Sequence, residues 1–355
     1  MKFLITGGAG FIGGQLVRYL IQHTKNKIKN IDKLTYASSL DSLNSIKHSP
    51  RYSLEKTDIC NFTNLRKIFK IYRPDVVVHF AAETHVDRSI DSPLNFIKSN
   101  IYGTFNLLEQ SRHYYLSLSR KKKKIFRFLH VSTDEVYGDL KSPSNFFNEK
   151  TSYNPSSPYS ASKASSDHLV RAWGKTYGLP ILVTNCSNNY GPYQFPEKLI
   201  PHTIINAIIG NKLPVYGDGS QIRDWLHVED HVNGILKVIK KGKVGETYNI
   251  GCNNEKKNIE VVRTICNILD KEIFKKPRNI ASFKDLIYFV KDRPGHDRRY
   301  AINAKKIKKQ LNWRPKVSFE EGIKSTVIWY LNNKKWWKKI MKKNKYNLKR
   351  LGLLK

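Results

Sequence analysis

Cysteine is scarce in this sequence. The four present, Cys60, Cys186, Cys252 and Cys266, lie far apart and form no C-x-x-C pair. That spacing argues against both a disulfide framework and a zinc site, so no metal is expected. Long apolar runs are also missing, and no stretch has the length needed to cross a bilayer. Met1-Lys2-Phe3-Leu4-Ile5 runs straight into glycines instead of building a signal peptide. A reduced cytoplasmic setting with no membrane partner is the expectation. Acidic residues are few, 29 Asp plus Glu against 63 Lys plus Arg for a formal charge of +34, far beyond what solubility requires. The lysines are scattered, with no helix-turn-helix, zinc-finger or RNP signature beside them, so no specific nucleic-acid partner is expected. We read the excess as compositional drift. Polyanion binding without sequence preference and attraction of a dianionic ligand are the alternatives.

Apolar residues are sufficient by contrast: 40% hydrophobic and 12% aromatic support a sizeable core. Short apolar runs, Lys2 to Thr6, Lys29 to Asp32, Asp75 to Phe80, Arg127 to Ser132 and Leu179 to Asn185, alternate with helix-length segments. This alternation predicts an α/β fold, a doubly wound parallel Rossmann-type sheet covered on both faces, with a smaller C-terminal substrate-binding lobe. From Gly191 onward Pro192, Pro196, Pro201 and Pro214 break the rhythm. The expected division is a cofactor-binding domain at 1–190, a lobe mainly at 191–340 and a basic tail at 341–355, with a strand near 246–251 rejoining the main sheet. The basic run Arg120 to Lys124 reads as a solvated loop. Trp336 and Trp337 read as the docking face of a terminal helix that frays beyond it, in preference to a membrane-surface helix.

Thr6-Gly7-Gly8-Ala9-Gly10-Phe11-Ile12-Gly13 follows the first strand and leads into an amphipathic helix carrying Leu16, Leu20 and Ile21. Gly7, Gly10 and Gly13 suit a tight turn, close backbone approach to a pyrophosphate and tight helix-to-strand packing. The helix N-terminus offers free N–H groups to phosphate. Asp32 closes the second strand, where an acidic side chain meets the adenosine ribose hydroxyls. Its charge repels a 2′-phosphate, so NAD is expected over NADP, with adjacent Lys33 a contrary sign. Asp58 and Ile59 would flank the adenine; an N-cap role is the plainer alternative for Asp58.

Tyr159-Ser160-Ala161-Ser162-Lys163 follows Pro158 and enters a helix with Leu169, Val170 and Trp173. Four residues apart, Tyr159 and Lys163 share one helical face. A free phenol titrates near ~10, and the Lys163 ammonium, together with a positive nicotinamide, is expected to lower that value. Tyr159 could then take the proton of an alcohol as hydride leaves the same carbon. The glycine turn and the Tyr-x-x-x-Lys pair together resemble the extended short-chain dehydrogenase/reductase family, from Phe3 to about Trp337.

His130-Val131-Ser132-Thr133-Asp134-Glu135-Val136-Tyr137-Gly138 follows a buried strand, and ligands of open α/β sheets bind outside the carboxyl ends of their strands. Sugar epimerases of the family typically carry small residues at this stretch, because their chemistry needs only hydride transfer. An acid and a base add elimination, and the pair resembles that of the nucleotide-sugar 4,6-dehydratases within the family. Further matching stretches are Asp32 to Ala37, His85-Val86-Asp87-Arg88-Ser89, Ser157 to Leu169, Thr184 to Pro192, Phe195 to Pro201, Arg223-Asp224-Trp225 and Asp292 to Arg299. The resemblance implies oxidation at C4 with Tyr159 as base, removal of the C5 proton by Glu135, protonation of the departing C6 hydroxyl by Asp134, and hydride return to C6. Division of labour requires one carboxyl to stay protonated beside an ionised neighbour, which burial and like-charge repulsion can arrange.

The likeness also assigns contacts. For NAD it implies Phe11, Ile12, Asp32, Lys33, Leu34, Thr35, Asp58, Ile59, Phe80, Ala81, Ala82, Glu83, Thr84, Ser99, Tyr159, Lys163 and Asn189. For the substrate it implies Thr84, Thr133, Asn188, Lys198, Leu199, Pro214, Val215, Tyr216, Arg223, Asn258, Asp292, Arg293, Pro294, Gly295 and His296. Thr133 would hold the 4-hydroxyl, and Arg223, Arg293 and His296 would donate to a pyrophosphate. The implied substrate is the nucleotide sugar dTDP-glucose, in a homodimer joined by two helices per subunit and supplying a rhamnose-type deoxysugar route. Thr84, His227 and Cys252 depart from the usual Ser, Tyr and Gly, and the segment from Gly138 to Pro155 is shorter than usual. Rival readings are a dehydratase or epimerase acting on GDP-mannose or a UDP-sugar, and a polyanion-binding protein on an inactive enzyme fold.

Overall fold

The computed structural model describes residues 1–142 and 144–348. Chain order begins β1 (Lys2–Thr6), α1 (Phe11–His23), β2 (Lys27–Asp32), β3 (Tyr52–Lys56), α2 (Phe62–Tyr72) and β4 (Val76–His79). It continues through α3 (Val86–Asp91), α4 (Pro93–Phe96), a π-helical turn (Ile97–Tyr102), α5 (Gly103–Leu116), α6 (Arg120–Ile125) and β5 (Arg127–Thr133). After a 3-10 turn (Asp134–Tyr137) come α7 (Pro158–Tyr177), β6 (Ile181–Cys186), β7 (Asn188–Tyr190), α8 (Leu199–Ile209), β8 (Leu213–Tyr216) and β9 (Ile222–His227). The remainder is α9 (Val228–Lys241), β10 (Thr247–Ile250), β11 (Glu255–Lys257), α10 (Asn258–Glu272), β12 (Ile287–Val290), α11 (Lys305–Leu311), α12 (Phe319–Asn332) and α13 (Lys334–Lys343).

A seven-stranded parallel sheet has the order β10-β6-β5-β4-β1-β2-β3. Alternating side chains fill a core on each face, as the two-residue period of a strand requires. Phe3, Ile5, Val76, Val78, Leu129 and Val131 pack with α1 and α9 on one face, whereas Leu4, Val77, Phe128, Ile181 and Val183 pack with α2, α5 and α7 on the other. The doubly wound expectation therefore holds. Strand β3 was not anticipated: Tyr-Ser-Leu-Glu-Lys is no apolar run, because as the edge strand it pairs only with β2 and none of its residues is buried. The run Arg120 to Lys124 is also corrected, from loop to helix. Ser119 accepts from Lys122 N and starts α6, although every side chain in it stays unburied.

The smaller lobe holds a three-stranded sheet, β11-β9-β7, and the parallel pair β12-β8. Its core includes Ile204, Ile265, Ile323 and Tyr330 from α8, α10 and α12. Helix α13 lays Trp336, Trp337 and Ile340 onto this core. Trp337 donates to Tyr330 O at 3.0 Å, and Trp336 donates to Ser39 Oγ at 3.0 Å, tying the lobe to the loop after β2. The chain beyond α13 does not fray at once. Leu348 is buried, its carbonyl 3.2 Å from His202 Nε2, so 344–348 folds back onto the lobe; the rest of the tail, 349–355, lies outside the described residues. Among the described residues no helix is long and apolar enough to cross a membrane, and no group of His, Cys, Asp and Glu side chains could hold a metal ion.

Candidate active site

The carboxyl ends of β1, β2, β4, β5 and β6 open onto one cleft. At its floor Gly7 has φ +74°, and a Cβ there would stand 2.8 Å from Ala81 N, so only glycine lets the turn pass so close to the strand behind it. Helix α1 begins at Gly10 without a side-chain cap, leaving its first N–H groups for an anion. Asp32 is fixed at the adjacent strand end: one oxygen accepts from Ala9 N at 2.9 Å, the other from Leu34 N at 2.8 Å and Ser38 Oγ at 3.1 Å. Lys33 loses its contrary weight. Its ammonium donates to Ser99 Oγ at 2.9 Å and lies 3.6 Å from Glu83 and 3.8 Å from Asp58, so two carboxylates already offset the charge a 2′-phosphate would need. The glycine cradle and this acidic surround fit NAD.

The cleft brings together Gly7, Gly10, Phe11, Ile12, Gly13, Asp32, Lys33, Thr35, Asp58, Ile59, the run Phe80-Ala81-Ala82-Glu83-Thr84, Ser99, Tyr159, Lys163 and Asn189. Leu34 is the exception. At φ +59° it packs against the core beneath the sheet and does not line the cleft. Ala37, Ser38, Cys186, Gln194 and Phe195 line it without having been named. The first two continue the stretch begun at Asp32, and Cys186 ends β6, so the strand-end rule applied to β6 could have found it.

Ser157 caps α7 through a reciprocal capping box with Ser160, and Pro158 occupies the first turn; this fixes where Tyr159 and Lys163 emerge. Both are buried at the cleft. The expected lowering of the phenol does not occur in the protein alone. Burial, then Glu135 and Cys186, push Tyr159 well above the ordinary phenol value, against the hydrogen bond to Thr133. Lys163 Nζ directs its hydrogen bond elsewhere, to Val131 O at 2.9 Å.

Thr133 ends β5, and its Oγ1 accepts from Glu135 N at 3.3 Å, turning the chain into the 3-10 turn that carries both acids. Asp134 is 1% exposed, and its Oδ2 has no protein partner. Burial first, then Glu135 and Asp224, drive its carboxyl well above the usual range. Glu135 is also raised by burial, but Arg293, Arg223 and Lys198 favour its anion. The two environments differ in the sense an acid and a base require.

A second cavity adjoins the first and shares Thr84, Glu135, Asn188, Glu197 and Lys198 with it. It collects Leu199, Pro214, Val215, Tyr216, Arg223, Asn258, Arg293 and His296 from the substrate set. Thr133 lines the cofactor cleft instead, while Asp292, Pro294 and Gly295 line neither cavity. Asp292 supports the wall from behind, accepting from Gln221 Nε2 at 2.8 Å and lying 2.6 Å from His296 Nδ1. This contact occupies one nitrogen of His296. Burial, then Arg293 and Arg223, bring its pKa to about 4. A neutral ring has one N–H, which faces Asp292; protonation beside a bound diphosphate would supply the second donor. Arg293 is better placed: Nη1 is held by Asp87 at 2.7 Å and Nε has no partner. Asn188 Oδ1 and Asn258 Oδ1 are likewise buried without partners. Asp87, Glu197, Tyr300 and Tyr346 line this cavity and were not named as contacts.

Known proteins share this arrangement. The family model described as GDP-mannose 4,6 dehydratase matches residues 4–326. A dTDP-glucose 4,6-dehydratase of Escherichia coli is 58% identical over the whole of both chains. The chain belongs to the dTDP-glucose 4,6-dehydratase family. Solved structures agree: the enzyme of Bacillus anthracis in complex with NAD is 46% identical with a TM-score of 0.84, covering 96% of this chain and 99% of that one. The enzyme of Streptomyces venezuelae, also with NAD, is 40% identical with a TM-score of 0.86, covering 96% of this chain and all of that one. Of the three departures from the family pattern, only Thr84 lines the cavities. Cys252 donates to Trp225 O at 2.9 Å, and His227 is buried beside the Tyr190 ring at 5.4 Å.

Proposed function

We propose that the protein removes water from dTDP-glucose to give dTDP-4-keto-6-deoxyglucose, a precursor for rhamnose-type deoxysugars. The observation that carries this reading is the placement of Asp134 and Glu135 in the cleft that also holds Tyr159, with Glu135 at the joint of the cofactor and substrate cavities. NAD bound beside them would accept hydride from C4 and later return it to C6 as C5 is reprotonated. Tyr159 takes the 4-hydroxyl proton, with Lys163 supplying positive charge beside it. Glu135 then removes the C5 proton, which the new ketone has made acidic. Asp134, kept protonated by its burial, delivers a proton to the departing C6 hydroxyl. Arg293, Arg223 and Lys198 are the cations for the diphosphate. Incubation with dTDP-glucose, UDP-glucose and GDP-mannose in turn, followed by mass spectrometry, tests the substrate. Loss of one water from dTDP-glucose is expected; loss from GDP-mannose alone would move the chain to the other branch of the family model.

A homodimer and a cytoplasmic setting belong to the same proposal. Tyr102, Phe105 and Tyr177 are 52%, 37% and 45% exposed on the face of the π-helical turn, α5 and α7. They form a continuous aromatic row with Trp173, ring centroids 5.4–6.2 Å apart. Leu94 and Ile97 extend the apolar surface, which is the kind a second copy would cover. Phe105→Glu should convert the wild-type dimer to monomer in light scattering; an unchanged mass would place the interface elsewhere.

A further inference from the structure

Behind Lys163 lies a set of buried charges that the reaction above does not use. Asp167, one helical turn further along α7, is fully buried. One of its oxygens accepts from Tyr153 Oη at 2.8 Å and Asn185 Nδ2 at 3.3 Å, and the other stands 3.1 Å from His130 Nε2. That same nitrogen is 3.4 Å from Lys163 Nζ. Arg171 Nη2 donates to Tyr153 Oη at 2.5 Å and to Thr247 Oγ1 at 3.2 Å, closing the set on its outer side.

The charge balance of this set is simple. An ammonium taken out of water is costly unless an anion accompanies it. Burial pulls the Lys163 pKa down, and Asp167 is the carboxylate that most opposes this. The other groups around it contribute little negative charge. His130 on β5, brought to about 4 chiefly by burial, and His79 on β4, lowered well below its ordinary value, are neutral. Cys186 on β6 is held as a thiol and Tyr153 and Tyr159 as phenols, all raised mainly by burial. Arg171 adds a second positive charge beyond Tyr153. Burial pushes Asp167 up as well, yet His130, Lys163 and Arg171 hold it below the ordinary carboxylate range.

We infer that Asp167 is a positioning residue for the oxidation step, its carboxylate, which meets the same His130 nitrogen as Lys163, acting through space to keep that lysine charged and in place beside Tyr159. This role rests on the reading of Tyr159 and Lys163 as the base pair. Asp167→Asn keeps the shape and removes the charge. The lysine should then lose its proton at lower pH, so the alkaline limb of the oxidation rate, read from reduced-nicotinamide absorbance with dTDP-glucose, should move down by about 1–3 pH units. KM for dTDP-glucose should not change, and Asp167→Glu should move the limb back toward wild type. Asp167→Ser, which also removes the charge, should shift it in the same direction as Asp167→Asn, and decides the matter if Asp167→Asn does not fold. Folded variants that lose rate equally at every pH, with the limb where wild type has it, overturn the inference while leaving the dehydratase reading intact. A wild type that forms neither reduced nicotinamide nor dehydrated product from dTDP-glucose overturns both.

Discussion

Glu135→Gln stops solvent deuterium from entering C5 of the sugar. The reason lies in the electrostatics of the acid pair. Glu135 faces Arg293, Arg223 and Lys198, which favour its anion, whereas Asp134 is sealed beneath it and carries the repulsion of two carboxylates. Glutamine preserves the side-chain shape but has no basic lone pair to accept a carbon-bound proton. Removal of a positioned base lowers turnover by roughly 10² to 10⁴, while Tyr159 still permits oxidation at C4, so reduced cofactor should accumulate with substrate. Undiminished deuterium entry in this variant would remove Glu135 as the base. The pH profile follows from the same pair. Activity rises as the Glu135 site loses its proton and falls as the Asp134 site does, and burial displaces both limbs above the ordinary carboxylate range. The limbs belong to the coupled pair and not to either residue alone.

Tyr159→Phe abolishes the reduced-nicotinamide signal that dTDP-glucose otherwise produces. In the protein alone the phenol is held neutral, because burial and the nearby Glu135 disfavour a second negative charge. A bound, positively charged nicotinamide acts in the opposite sense, so the phenol becomes a useful base only in the loaded cleft. This also keeps an unpaired phenolate out of the empty site. Phenylalanine cannot take the 4-hydroxyl proton, and the oxidation rate should fall by roughly 10² to 10⁴ with cofactor content unchanged. Normal formation of the signal would refute the assignment of the base.

The sequence made much of this legible, for reasons visible in particular residues. Strands β1, β4, β5 and β6 are buried on both faces, so their apolar runs stand out. Strand β3 at the edge is half-buried and polar, and it carries no such signal. Helix α6 has no buried side chain, so its lysines conceal a helix that one serine cap begins. In the site, motif spacing located the glycine cradle, Asp32, the acid pair and the Tyr159–Lys163 pair, because each of these is local in the chain. Orientation was not local. The occupation of Lys33 by Glu83 and Asp58 and the raised Tyr159 phenol depend on which partners the fold brings from a distance. The same holds for Tyr346, which reaches the substrate cavity from beyond α13.

The central claim is that hydride leaves C4 and returns at C6 of one sugar while Asp134 and Glu135 remove water between the two transfers. Conversion of dTDP-glucose carrying deuterium at C4, analysed by mass spectrometry and NMR, tests it most directly. The account predicts a product lighter by one water with the deuterium in the C6 methyl group. A product of unchanged mass with the deuterium still at C4 would contradict it and leave a nucleotide-sugar redox fold without elimination.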